Sequence, residues 1–269
     1  MISTSGLSPL AGISLVRENR EVFEADIQRD PTSKREIEAF RERISGIQTV
    51  DELAEDYQVF SFVMKAFGLE EETYAKAKMK QIMTSDPDDK GSLVKRLSDA
   101  KYDSLNEEMG FSADGIAGGN FSDPDWIDSM VERYTDQRLI DTQSEENEHV
   151  GLALTFEQKI SGMTSWYKVL ADEEMNDFFM TAFGLPDTAA NASIDARKAM
   201  FEKRMPIEDL QKPEVQEKLI RQFSAFADVI KSQETQNAAV TLLSSGSGSF
   251  NQVTIDIDMI QGFSASRHL

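Results

Sequence analysis

A 26-residue segment of this chain occurs twice, and that recurrence limits the folds open to it more than any other feature. Ile44-Ser45-Gly46 returns as Ile160-Ser161-Gly162, and Ala66-Phe67-Gly68-Leu69 returns as Ala182-Phe183-Gly184-Leu185, both at a spacing of 116 residues. Residues 44–69 and 160–185 align without a gap and agree at ten of 26 positions, with Asp56/Asp172, Phe62/Phe178 and Met64/Met180 completing the set. The likeness reaches back through Phe40 and Phe156, and more loosely to the segments near Asn19 and Thr135, so one unit is about ninety residues long. Two copies are an internal duplication rather than a solenoid, which stacks three or more shorter repeats.

The punctuation of each copy is helical. Asp30-Pro31 precedes a helix over Thr32 to Ile44, and Asn147 precedes one over Glu148 to Ile160. A side-chain oxygen before the first turn accepts its free amides, and proline suits the first helical position. Gly46 and Gly162 then stop the chain, and Thr49 or Ser165 caps a short helical turn, with Glu52 forming a capping box in the first copy. Asp56 and Asp172 start the next helix. Its apolar stripe, Val59, Phe62, Val63 and Ala66 in one copy and Met175, Phe178, Phe179 and Ala182 in the other, has the i, i+3, i+4, i+7 spacing of a buried face. Gly68-Leu69 and Gly184-Leu185 end it, the glycine turning left-handed and the leucine folding back on the last turn. The repeated residues Gly46, Phe67, Gly68, Leu69, Gly162, Phe183, Gly184 and Leu185 are therefore structural: stops and core.

Beyond the aligned segment, helices are expected over Glu72 to Met83 and Ser92 to Met109, and in the second copy over Ile194 to Arg204 and Glu214 to Lys231. Ser112 to Asn120 reads as a loop, followed by a helix initiated at Asp123-Pro124 that runs through Trp126 and Tyr134. The end changes character. Ser244 to Ser249 is a Ser/Gly linker, and Val253, Ile255, Ile257 and Met259 alternate with polar residues at the period of a strand. The expected fold is all-α, with two similar helical units related by duplication and a short strand-like C-terminal tail. Its divisions are a first unit with the N-terminal segment (1–111), a linker and connecting helix (112–135), a second unit (136–232) and the tail (233–269).

Charge and composition exclude several functions. A formal charge of −20 opposes nucleic acid and anionic membrane surfaces, which recruit basic patches. The chain has no cysteine, which removes thiolate zinc sites, thiol nucleophiles and disulfides together. No apolar run reaches the roughly 20 residues of a membrane helix, and Met1 to Leu15 lack the pattern of a cleaved secretory signal.

Chemistry is sparse. The two histidines, His149 and His268, stand too far apart in context for a histidine metal centre or a Ser-His-acid relay. Glu145 to His149 spreads around a charged first helical turn rather than converging on one ion. Asp86 to Gly91 resembles the opening of a calcium loop, but Leu97 stands where the bidentate glutamate belongs, so it reads as a capping turn. No catalytic residue, cofactor site or metal site is expected. Trp126 and the alternating residues Val253, Ile255, Ile257 and Met259 are the candidates for partner binding, and Trp166 is expected in the core.

Ile44 to Leu69, Ser92 to Tyr102 with Phe111, and Ala182 to Pro186 resemble a bacterial family of unknown function whose members often occur among flagellar genes. The resemblance spans residues 10–232 and carries no catalytic residue. It implies a non-enzymatic structural or protein-interaction protein associated with the flagellum: a minor axial component, an exported accessory factor or an assembly partner. The polar Met1 to Gly6 is similar to the flexible ends of proteins exported through the flagellar apparatus. The expected partner is a protein, flagellar components included, with no nucleic acid and no membrane insertion, and the chain itself a monomer or a weak homo-oligomer. The expected location is cytoplasmic, or flagellum-associated after export without a cleaved signal. Two other readings stand beside this one. A helical adaptor would hold a partner in a groove between the repeats; an enzyme would need a deep inter-repeat pocket with several perturbed carboxylates.

Overall fold

Capping and core burial decide where the helices of this chain begin and end. In a computed structural model the described residues are 2–244, apart from Lys90 and Ser98. They form fourteen α-helices and six short 3-10 turns, with one isolated antiparallel bridge between Thr49 and Ile116. The all-α expectation holds for these residues, whereas Val253, Ile255, Ile257 and Met259 lie outside them. The chain divides into two compact units, Met1–Asp228 and Val229–Leu269. Of the second, only the continuation of a helix to Ser244 is described. Both hydrophobic cores belong to the first.

Asp30 takes the amides of Thr32 and Ser33 at 3.0 and 2.9 Å and opens α3 (Pro31–Arg43), with Pro31 in its first turn. Thr49 caps α4 (Val50–Glu55) through the Glu52 amide, and the Glu52 carboxylate returns to the Gln48 amide at 2.7 Å. Asp56 caps α5 (Tyr57–Ala66), which Gly68 closes in the left-handed region at φ 65°. The later segment follows the same course. α10 (Glu148–Lys159) leads through a 3-10 turn at Ile160–Gly162 to α11 (Trp166–Ala171), capped by Ser165. Asp172 then caps α12 (Glu173–Ala182), closed by Gly184 at φ 58°.

The apolar stripes of α5 and α12 are buried as their spacing requires, and each feeds a three-ring stack. In one, Phe62 lies between Phe40 and Tyr134, with centroids 4.1 and 4.5 Å away. In the other, Phe178 lies between Phe156 and Phe223, at 4.0 and 4.6 Å. Burying one such ring is worth about 2–3 kcal/mol, and each ring pair adds roughly 0.5–1.5 kcal/mol. The third ring of each stack comes from a long helix: α9 (Pro124–Glu146) or α14 (Pro213–Ser244). Both begin with proline after a 3-10 turn. They bury Met130, Val131 and Tyr134 in one case, and Leu219, Ile220 and Phe223 in the other.

Several boundaries differ from expectation. Two helices, α1 (Pro9–Glu18) and α2 (Arg20–Arg29), precede the first aligned segment. Their Ile13, Val16 and Phe23 pack with Phe156, Trp166 and Phe178, that is, into the core of the later segment. The stretch Glu72 to Met83 yields only α6 (Lys76–Met83), because Glu70–Glu72 is a 3-10 turn. Ser92 to Met109 is two helices, α7 (Leu93–Leu97) and α8 (Ala100–Met109), because the Asp99 carboxylate caps the Lys101 amide at 2.8 Å. Ile194 to Arg204 ends slightly early, as α13 (Ile194–Glu202).

The polar Met1 to Gly6 suggests a flexible end, yet Thr4 is fully buried. Its hydroxyl donates to Gln143 Oε1 at 2.7 Å, and its amide donates to Glu146 Oε2 at 2.9 Å. Asn147, expected to cap α10, makes no capping bond. Its amide group instead donates to the carbonyls of Thr4 and Leu7, at 3.3 and 3.1 Å. A buried backbone carbonyl without a donor is costly, so tethering the N-terminal segment takes precedence over the cap.

Candidate functional site

The end of α5, the start of α8 and the middle of α9 face the end of α10 and its 3-10 turn across a cleft of about 270 Å3. This volume admits one or two side chains but not a helix, whose diameter with side chains is about 10 Å. Ala66, Phe67, Lys101, Arg133 and Gln137 line one wall; Gln158, Lys159, Ser161, Gly162 and Met163 line the other. The repeated Phe67 and Gly162 thus meet at a junction between segments, which their role as core and stop did not announce.

All three cations of the cleft are engaged by the protein itself. Lys159 Nζ donates to Asp172 Oδ2 and Glu174 Oε2 at 2.7 and 2.6 Å. Lys101 Nζ reaches Glu174 Oε2 at 3.5 Å and donates to the Gly68 carbonyl at 3.2 Å. Arg133 lies over the Phe67 ring, 4.7 Å from its centroid, and 3.7 Å from Glu108. Glu174 therefore receives one lysine from each wall. Burial alone would push its carboxyl up, but Lys159 and Lys101 hold it below the usual range. Burial likewise works against the Lys159 ammonium, and Glu174 with Asp172 outweighs it, so its pKa lies above the ordinary lysine value. Asp141 departs the other way: burial pushes it up, despite a hydrogen bond from Gln137 and the proximity of Arg138.

A second polar cluster, which no sequence pattern marks, lies within the first core. The buried Tyr134 hydroxyl donates to Glu36 Oε2 at 2.6 Å, and Lys65 Nζ donates to Glu36 Oε1 at 2.7 Å. Burial, with Glu36 adding to it, pushes the Tyr134 phenol up. Glu36 lies one turn before the repeated Phe40, and Lys65 stands between the repeated Met64 and Ala66 but aligns with Thr181, so the sequence repeat gave no reason to single them out.

The chain's sequence from residue 66 to residue 215 matches the model of a family described as Protein of unknown function (DUF1217). That match covers more than half of the chain. The protein is a member of the DUF1217 family. In fold, this DUF1217 protein is similar to the crystal structure of protein AGR_C_984 from Agrobacterium tumefaciens, with a TM-score of 0.73 and 28% sequence identity. The similarity covers 85% of this chain and 96% of that one. No curated protein matches the sequence.

The residues singled out from sequence fall into distinct places in the DUF1217 protein. Phe67 and Leu69 are buried, Phe183 and Leu185 are partly buried against the later core, and Gly68 and Gly184 hold the left-handed stops. Gly46 and Gly162 end their 3-10 turns with open space where a Cβ would stand. Trp166 is 2% exposed, in the core as expected. Trp126, a candidate for partner binding, is half-buried: its ring stacks on Phe121 at 5.1 Å and lies 6.2 Å from Phe40. Val253, Ile255, Ile257 and Met259 lie outside the described residues.

The weaker chemical signals resolve into local structure. Asp86 and Asp89 accept the amides of Asp88 and Gly91, as a capping turn does. Glu145 and Glu146 end α9 rather than open α10, and the His149 ring stands 5.9 Å from that of Phe223. The loop at Ser112 to Asn120 is seated rather than free. Val50 donates to the Gly115 carbonyl and Ala117 to that of Gln48, both at 2.8 Å. Among the described residues no three His, Asp or Glu side chains gather as metal ligands would, and no helix is long and apolar enough to cross a membrane.

Proposed function

We propose that this chain is a non-enzymatic structural or protein-interaction protein, built from one helical unit used twice and associated with the bacterial flagellum as an axial, accessory or assembly component. The observation that carries the non-enzymatic reading is the state of the cleft. Lys101, Arg133 and Lys159 are held by Glu174, Asp172, Glu108 and backbone, so the cleft serves as a joint between segments. Lys101 and Lys159, one from each wall, are both tied to Glu174, and a contact of that kind favours a structural role for the cleft. The paired caps and the two three-ring stacks support the reading of one unit used twice. The flagellar association rests on the resemblance carried by Ile44 to Leu69 and Ala182 to Pro186.

Deletion of the gene tests this function. Impaired motility or filament assembly, together with loss of the protein from the medium of a strain lacking flagellar export, is the expected result. Normal motility, normal filaments and unchanged release would contradict it.

A further inference from the structure

Away from the cleft, α2, the first turn of α3 and the second half of α9 enclose a pocket of about 340 Å3, with Ile2 of the N-terminal segment as a further wall. Phe23, Asp26, Ile27 and Asp30 follow at helical spacing along α2, and Leu139, Gln143 and Glu146 along α9, so each helix turns one stripe to the pocket. Phe23 and Leu139 are buried, and Ile2 and Ile27 are half-buried; together they form the apolar part of the lining. A cavity of roughly 150 Å3 admits benzene, and small-molecule sites begin at about 300 Å3, so this pocket has the size of a ligand site. It shares no lining residue with the cleft at Lys101 and Lys159.

The charged groups around the pocket are engaged by the protein. Asp30 takes the amides of Thr32 and Ser33, Glu146 takes the Thr4 amide and the Ser3 hydroxyl, and Asp26 lies 3.8 Å from Arg29. Arg138 lies 3.7 Å from Asp141. A bound ammonium would find no uncommitted carboxylate, and a bound anion would face three carboxylates with Arg138 alone to balance them; a charge buried without a partner is costly. One polar group is left over. Gln143 is 1% exposed, and its carboxamide oxygen accepts from the Thr4 hydroxyl at 2.7 Å, but its amide nitrogen has no hydrogen-bond partner among the described residues. The neighbouring Thr142 hydroxyl does not supply an acceptor for it, being turned to the Arg138 carbonyl at 2.8 Å. A buried N–H group without an acceptor is costly to leave so, and a ligand oxygen removes that cost.

We propose that this pocket binds a small uncharged molecule, apolar in body and carrying a hydroxyl or carbonyl oxygen. The oxygen accepts from the Gln143 amide group, and the carbons lie against Phe23, Ile27 and Leu139. Size admits the molecule, the committed carboxylates select against either sign of charge, and the spare N–H of Gln143 sets the one polar contact that orients it.

Cyclohexanol is the probe, with cyclohexanecarboxylate and cyclohexylammonium as charged controls on the same ring. Each is titrated into the full chain, and nitrogen–proton correlation spectra follow the Gln143 side-chain amide, whose signals are assigned by their loss in Gln143→Met. The expected result is saturable binding of cyclohexanol that shifts those signals, with both charged rings binding roughly tenfold or more weakly. Gln143→Met should weaken cyclohexanol binding roughly fivefold, the worth of one net hydrogen bond, and Ile27→Trp, which fills the pocket, should abolish it. Far-UV circular dichroism checks each variant's fold. Should Gln143→Met unfold, Gln143→Glu removes the N–H groups while keeping an acceptor for Thr4; should Ile27→Trp unfold, Thr142→Phe narrows the same pocket. Absence of saturable cyclohexanol binding, equal binding of a charged ring, or unchanged affinity on loss of the Gln143 N–H groups would overturn the proposal.

Discussion

Two glycines that look alike in the sequence are under different constraints. Gly68 and Gly184 both sit in the left-handed region, where a Cβ meets the following carbonyl and costs about 1–2 kcal/mol. At Gly68 the added carbon would stand 3.4 Å from the Gln137 amide, which is ordinary contact. At Gly184 it would stand 2.7 Å from Phe226 Cζ, so the ring has to swing away and give up its seat. Gly184→Ala should therefore cost about 1 kcal/mol more than Gly68→Ala in urea unfolding, because displaced packing adds to backbone strain. Phe226→Ala in the same background should close that gap. An equal cost at both positions would show that Phe226 does not lean on Gly184.

The helices carry the charge that the composition only totals. α9 brings Asp141 and α12 brings Glu174 to the joint between the segments, and their environments separate them: burial raises Asp141, while two lysines hold Glu174 down. A carboxyl whose folded pKa is raised stabilises most when protonated, and that contribution is lost as pH rises through the raised value. Asp141→Asn should accordingly raise Tm at neutral pH, with the gain shrinking as pH falls into the carboxylate range. Glu174→Gln should lower Tm at neutral pH and matter less in acid, since a depressed carboxyl contributes only while ionised. A lower Tm for Asp141→Asn at neutral pH would mean that the Arg138 contact at 3.7 Å outweighs burial.

The same elements mark what could be read beforehand. The stops at Gly68 and Gly184, the caps Asp56 and Asp172 and the buried stripes of α5 and α12 are local, and local patterning revealed them. The joint is not local. Lys101, Glu174 and Lys159 meet only after three helices pack, and no spacing in the sequence links them. Asn147 misled for a related reason: its side chain had two uses, and the carbonyls of Thr4 and Leu7, distant in sequence, took it from the helix end. α1 and α2 carry weaker apolar periodicity, and their Ile13, Val16 and Phe23 find their burial in the later core, more than a hundred residues away. A signal that α9 and α14 correspond was also present. Asp123-Pro124 and Lys212-Pro213 open α9 and α14, and Met130, Val131 and Tyr134 match Leu219, Ile220 and Phe223 at one constant spacing, shorter than that of the aligned segments.

At the scale of the whole molecule, the central proposal is a structural or interaction role at the flagellum rather than catalysis. Deletion of the gene, with the complemented strain beside it, tests it most directly, read as swimming motility and filament assembly. Loss of motility or of filaments, restored by the gene, is the predicted result. Normal swimming with normal filaments would contradict the account.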